Sequence, residues 1–133
     1  MSTVGTYEEK LPCKGTLRVF KSDWEIQYYF PGPDLRHNGT FKTLPGGAIE
    51  QYIQAYQNNW AEYVRLKATI PKGGEFSKLG EAGMTIRIGM FEGVCLVSYH
   101  MPISSETSLR AVLDGFRYAK ERVTRIQGFL NTL

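Results

Sequence analysis

Two runs decide how this chain is read: Met84-Thr85-Ile86-Arg87-Ile88-Gly89-Met90 and, across Phe91-Glu92-Gly93, Val94-Cys95-Leu96-Val97-Ser98-Tyr99-His100-Met101. Alternation in the first run, a Gly-containing turn and an apolar second run predict a hairpin. Pro102 ends it, and an amphipathic stretch of helical period runs from there to the C-terminus. The unit is ββα. A looser echo lies upstream, where Thr16-Leu17-Arg18-Val19 matches Thr85-Ile86-Arg87-Ile88. Tyr28-Tyr29-Phe30-Pro31 likewise matches Tyr99-His100-Met101-Pro102, two residues out of step, and a helical stretch follows there too. Two ββα units, about 14–70 and about 84–133, predict a single two-layer α+β domain. Its sheet is mostly antiparallel, with two long helices packed on one face.

The first unit is built in the same way. Leu17, Val19 and Lys21 fall on one face of its first strand, and Thr16, Arg18 and Phe20 on the other. In the next strand Trp24, Ile26, Tyr28 and Phe30 oppose Glu25, Gln27 and Tyr29, a pattern with one face on a core and one partly wet. Pro31-Gly32-Pro33-Asp34 must turn, and Thr40-Phe41-Lys42-Thr43-Leu44 adds a short edge strand that Pro45-Gly46-Gly47 ends. From Ala48 to Lys67, Ile49, Tyr52, Ile53, Tyr56, Trp60, Tyr63 and Val64 form the inward stripe of a helix, with Gln51, Gln54, Gln57, Asn58 and Asn59 opposite. A short strand is expected near Glu75-Phe76-Ser77, inside a Gly-rich loop. The last helix, capped by Ser104 or Ser105, turns Leu109, Val112, Leu113, Phe116, Val123, Ile126 and Leu130 inward. Residues 1–10 read as a loose end.

At 133 residues the chain is long enough to bury a core without a disulfide or metal. Sixteen basic against 13 acidic side chains give +3, and the surplus lies in the second half. Residues 67–133 hold nine basic and six acidic groups, against seven of each before them. That is too thin for a dedicated nucleic-acid binder. Cys13 and Cys95 are far apart with no CxxC, and no signal-peptide pattern opens the chain, so a reducing cytoplasm is expected. No apolar run approaches a membrane span.

No motif names a reaction. Cys95 and His100 are five apart on one strand and point to opposite faces, while Cys13 and His37 sit in loops. Neither histidine has metal ligands spaced around it, and no cofactor is called for. Gly32, Gly46-Gly47, Gly73-Gly74 and Gly80 lack the strand-before, helix-after setting of a phosphate loop. Arg110, Asp114, Arg117, Glu121 and Arg125 alternate in sign along one helix stripe and read as a solvated ladder. The face that stands out carries Arg18, Phe20, Gln27, Tyr29, Arg87 and Tyr99, where two arginines at equivalent hairpin positions lie beside aromatics. Such a set suits a ligand or a partner surface.

The leading expectation is a non-enzymatic binding module, recognising a small ligand or protein through an open sheet face and the aromatic helix. A partly apolar open face favours a homodimer. The alternatives are a nucleic-acid-binding accessory protein and a small enzyme using Cys95, His100, His37, Asp34 or Tyr99. In element order the chain is also loosely similar to secretion-chaperone-like domains, cytoplasmic dimers with helices on one side of a curved antiparallel sheet. Its basic charge departs from the acidic charge of such chaperones.

Overall fold

A computed structural model describes residues 5–12, 15–30, 39–97 and 102–133. Seven strands and two long helices appear in the order β1 (Tyr7–Lys10), β2 (Thr16–Val19), β3 (Trp24–Phe30), β4 (Thr40–Pro45), α1 (Ile49–Thr69), β5 (Phe76–Leu79), β6 (Thr85–Ile88), β7 (Gly93–Cys95) and α2 (Glu106–Leu130). The α+β class stands. The expected single sheet does not: β1-β2-β3-β4 form one antiparallel sheet and β5-β6-β7 another.

The chain forms two compact units, Met1–Ile49 with Asp114–Leu133, and Glu50–Leu113. Each holds one sheet and most of one helix, but the helix is not the one that follows its hairpin in sequence. The first sheet shares its unit with the C-terminal part of α2, and the second sheet shares its unit with α1. The ββα stretches of the sequence are therefore not the packing units. Local periodicity shows that a helix has an apolar stripe but not which sheet the stripe covers.

In the first unit Leu17, Val19, Ile26, Tyr28, Phe30 and Leu44 point inward and are buried, as are Phe116, Ala119, Val123, Ile126 and Leu130 of α2. Polar bonds fix the helix to the sheet. Gln127 Nε2 donates to the carbonyls of Phe20 and Asp23 at 3.3 and 3.2 Å, and Tyr118 OH donates to Glu9 Oε2 at 2.9 Å. Arg122 contacts the same carboxylate at 2.7 Å and donates to Tyr7 OH at 3.1 Å. These contacts explain β1, which lies in the stretch read as a loose end. It pairs Tyr7–Lys10 with Val19–Thr16 and carries two side chains to α2. Burial opposes ionisation of Glu9, yet hydrogen bonds from Tyr7, Tyr118 and Arg122, with the Arg122 charge, hold its carboxyl below the ordinary range.

In the second unit Ile53, Tyr56, Tyr63 and Leu66 of α1 are buried, as are Met84, Ile86 and Ile88. Two positions depart from the helical stripe: Val64 is exposed, and Asn59, read as outward, is only 3% exposed. Asn59 is a bracket. Its amide donates to the Glu81 carbonyl at 3.1 Å and accepts from the Glu81 N–H at 2.9 Å, so it holds the turn before β6. Gly80 lets it do so, because a Cβ there would lie 2.5 Å from Asn59 Oδ1. Val94, Cys95 and Leu96 of the apolar run are all buried, on both faces of the strand. Ser105, one of the two serines read as a cap, accepts from Ser108 N–H at 3.1 Å and caps α2.

Candidate functional site

Four of the six residues singled out from sequence share one surface. In the first sheet, Leu17, Val19, Ile26, Tyr28 and Leu44 take the inward positions, so alternation puts Thr16, Arg18, Glu25, Gln27, Tyr29, Phe41 and Thr43 outward. Phe20 continues this face just beyond β2. Arg87 belongs to β6 of the other sheet, so one sheet face does not carry both arginines. Tyr99 lies outside the described residues, as do His37, His100, Asp34 and Cys13.

Arg18 is not an open anchor. Its register partners on either side are both acidic, Glu8 on β1 and Glu25 on β3. The guanidinium reaches Glu8 at 2.9 Å and Glu25 at 3.8 Å and sits 5.6 Å from the centroid of the Phe20 ring. Cross-strand charge pairs of this kind neutralise the cation where it stands. Arg87 Nε donates to the Met90 carbonyl at 3.1 Å, within its own hairpin.

The aromatic part of the face is open. Tyr29 and Phe41 are register partners on β3 and β4, with ring centroids 5.0 Å apart and planes tilted by 46°. They are 54% and 63% exposed. The Tyr29 ring also lies against Gly39, where a Cβ would come within 2.3 Å of it. Two rings held by each other and by the backbone form a pre-set apolar contact that loses little side-chain freedom on docking. Phe41 is a site residue that the sequence reading does not single out, since its strand is recognised there only as a short edge. The signal is nonetheless local: Phe41 lies three positions from the inward Leu44, which in a strand places it on the opposite, outward face.

A second concave surface lies on the second unit. Trp60, Tyr63, Val64, Lys67 and Ala68 of α1 line an open depression of about 430 Å³ with Ser104, Ser105 and Glu106. The Trp60 and Tyr63 rings are 5.1 Å apart. Glu92, in the turn between β6 and β7, accepts from Lys67 Nζ at 2.6 Å, Tyr63 OH at 2.9 Å and Gly89 N–H at 3.3 Å. The Lys67 hydrogen bond outweighs desolvation and holds Glu92 below the ordinary carboxylate range. Burial pushes the Tyr63 phenol up, and its hydrogen bond to Glu92 adds to this. With its carboxylate engaged three times, this triad is a structural clasp between α1 and the hairpin rather than a poised acid or base. No sequence signal links Lys67 to Glu92, because their pairing is tertiary.

Among the described residues no group of three or more His, Cys, Asp or Glu is placed to hold a metal ion, and no helix is long and apolar enough to cross a membrane. Cys95 is buried, and its thiol contacts the Phe91 carbonyl at 3.8 Å. Compared with protein-family models, curated proteins and solved structures, the chain finds a match in none of the three.

Proposed function

We propose that this chain is a binding module of the cytoplasm without catalytic chemistry of its own, and that it engages a protein surface through the outward face of the β1–β4 sheet. The observation that carries this reading is the Tyr29–Phe41 pair, two large rings held against each other and more than half exposed. Exposed aromatics matter when they cluster and are rigid, because they then bury area at small entropic cost. The charges on the same face favour protein over nucleic acid. Arg18 is already matched by Glu8 and Glu25, so a phosphate approaching it would have to displace a carboxylate.

The test is a photo-crosslinking amino acid at position 41, compared with the same group at the solvent-facing Arg110 of α2. A discrete adduct from position 41 alone, lost when Tyr29 is changed to Ser, supports the reading. Equal labelling from both positions would sink it, as would oligothymidine binding that depends on Tyr29 and Phe41.

The depression beside Trp60 supports a second, small-ligand reading, since its volume and aromatic wall suit a drug-sized planar molecule. A fragment screen read by Trp fluorescence, with Trp60→Phe as reference, checks it. Fragments that quench the wild type and the variant alike would count against this surface.

A further inference from the structure

Resting on the small-ligand reading of the depression beside Trp60, we infer that its ligand is a flat aromatic cation, a ring lying against the Trp60 indole with a protonated amine turned toward Glu106 of α2.

The wall sets the apolar part of the ligand. Trp60, Val64 and Ala68 follow one another at spacings of four, so they form one stripe of α1 along the depression. The indole is braced by the buried Tyr63 ring, 5.1 Å away and tilted by 41°, yet it is only half-buried itself, and Val64 beside it is exposed. A braced aromatic flanked by aliphatic side chains receives a flat ring with little loss of freedom. At about 430 Å³ the depression has room for two fused rings and a short arm.

Charge decides what the arm carries. Two charged side chains line the depression, Lys67 and Glu106. Lys67 is already matched, with its Nζ 2.6 Å from Glu92 Oε2 and 5.8 Å from the centroid of the Tyr63 ring. An anion seated on Lys67 would have to displace Glu92, which also receives Tyr63 OH and Gly89 N–H. The Glu106 side chain has no hydrogen bond or ion pair among the described residues. It stands in the first turn of α2, whose N-terminus carries the equivalent of roughly half a positive charge and so offsets only part of the carboxylate. Lys67 and Glu92 sum to zero, and Glu106 with the helix end leaves roughly half a negative charge. That surplus favours a cation over an anion, and a cation gains again from the face of an indole. Because the depression is open to water, the charge contributes no more than about fivefold in affinity.

The experiment titrates three probes that share one ring, naphthylmethylammonium, naphthylmethanol and naphthylacetate, into the isotope-labelled chain. The indole N–H resonance of Trp60, assigned with Trp60→Phe, is followed by NMR, with that of Trp24 as internal reference. The expected result is a saturable shift at Trp60 alone, with the ammonium bound about three- to fivefold more tightly than the alcohol and the acetate weakest. Glu106→Gln should remove the advantage of the ammonium and leave the alcohol unchanged, whereas Glu106→Asp, which keeps the charge, should retain it, both variants being checked for native circular dichroism. If the acetate binds as well as the ammonium, or the advantage of the ammonium survives Glu106→Gln, the inference is overturned while the depression remains a ligand site. If no probe moves Trp60, or all of them move Trp24 as far, the small-ligand reading falls with it.

Discussion

Replacing Gly80 by Ala should destabilise the native protein but stabilise it once Asn59 has been removed. The Asn59 side chain crosses so close to Gly80 that a Cβ would meet its Oδ1 at 2.5 Å and its Cγ at 2.9 Å. Insertion of a methyl into such a contact costs about 2 kcal/mol, within the range for overpacking. Asn59→Ala alone strips the bonds to the carbonyl and N–H of Glu81, at 3.1 and 2.9 Å. The Glu81 N–H is left without this partner, while the Glu81 carbonyl keeps its bond from the Met84 N–H at 3.1 Å; with the lost packing, the change costs about 2–3 kcal/mol. Gly80 itself has φ −99° and ψ −161°, open to any residue, and its N–H bonds the Met84 carbonyl at 2.7 Å without using a side chain. With Asn59 gone, Gly80→Ala should therefore gain about 0.4–1 kcal/mol by restricting the unfolded chain. Urea denaturation of the four members of the cycle at constant m gives the coupling, expected near 2–3 kcal/mol, and Asn59→Ala should lower Tm by about 10 °C. If Gly80→Ala costs the same with and without Asn59, the bracket account of this turn is wrong.

The remaining predictions concern charge and capping. Glu9 has its folded pKa depressed, so its stabilisation is full above its unfolded value near 4.5 and is lost as pH falls through the folded value. Acid unfolding followed by circular dichroism should accordingly begin below about pH 4.5 in the wild type, and Glu9→Gln should be less stable at neutral pH with a shallower acid limb. An unchanged limb would remove Glu9 from that transition. Glu92→Ala should free the Tyr63 and Lys67 side chains and raise hydrogen exchange at Gly89, whose N–H now bonds the carboxylate. If protection at Gly89 is untouched, the clasp carries no weight in the hairpin. Ser105→Ala should lower stability by about 1 kcal/mol through loss of the α2 cap, with Ser105→Gly costing only a few tenths.

Much of the local structure is legible in the residues. Alternation in Thr16–Val19 and Trp24–Phe30 assigns inward and outward positions that burial bears out, so Arg18, Gln27 and Tyr29 sit on one outward face. The α2 stripe is also as periodicity has it from Leu113 to Leu130, and two-sided burial at Val94–Leu96 follows from an apolar run without alternation. These are properties of a single element, and a period of 2 or 3.6 carries them. Pairing is where local pattern misleads. The likeness of Thr16–Val19 to Thr85–Ile88 suggests one sheet bearing Arg18 and Arg87 together, yet the two strands belong to different sheets. The neutralising of Arg18 by Glu8 depends on β1, whose polar Tyr-Glu-Glu-Lys sequence has no apolar alternation and becomes a strand only because β2 offers an edge and Arg122 and Tyr118 receive Glu9. Asn59 reads as a solvated amide until the Gly80–Met84 turn is folded over it. The elements and their faces are thus written in the order of the residues, because each is fixed by chemistry within a few positions. Which sheet each helix covers, and which cation meets which carboxylate, is settled by folding alone, because those choices join residues on different elements, as Arg18 with Glu8 and Lys67 with Glu92, and no local pattern encodes them.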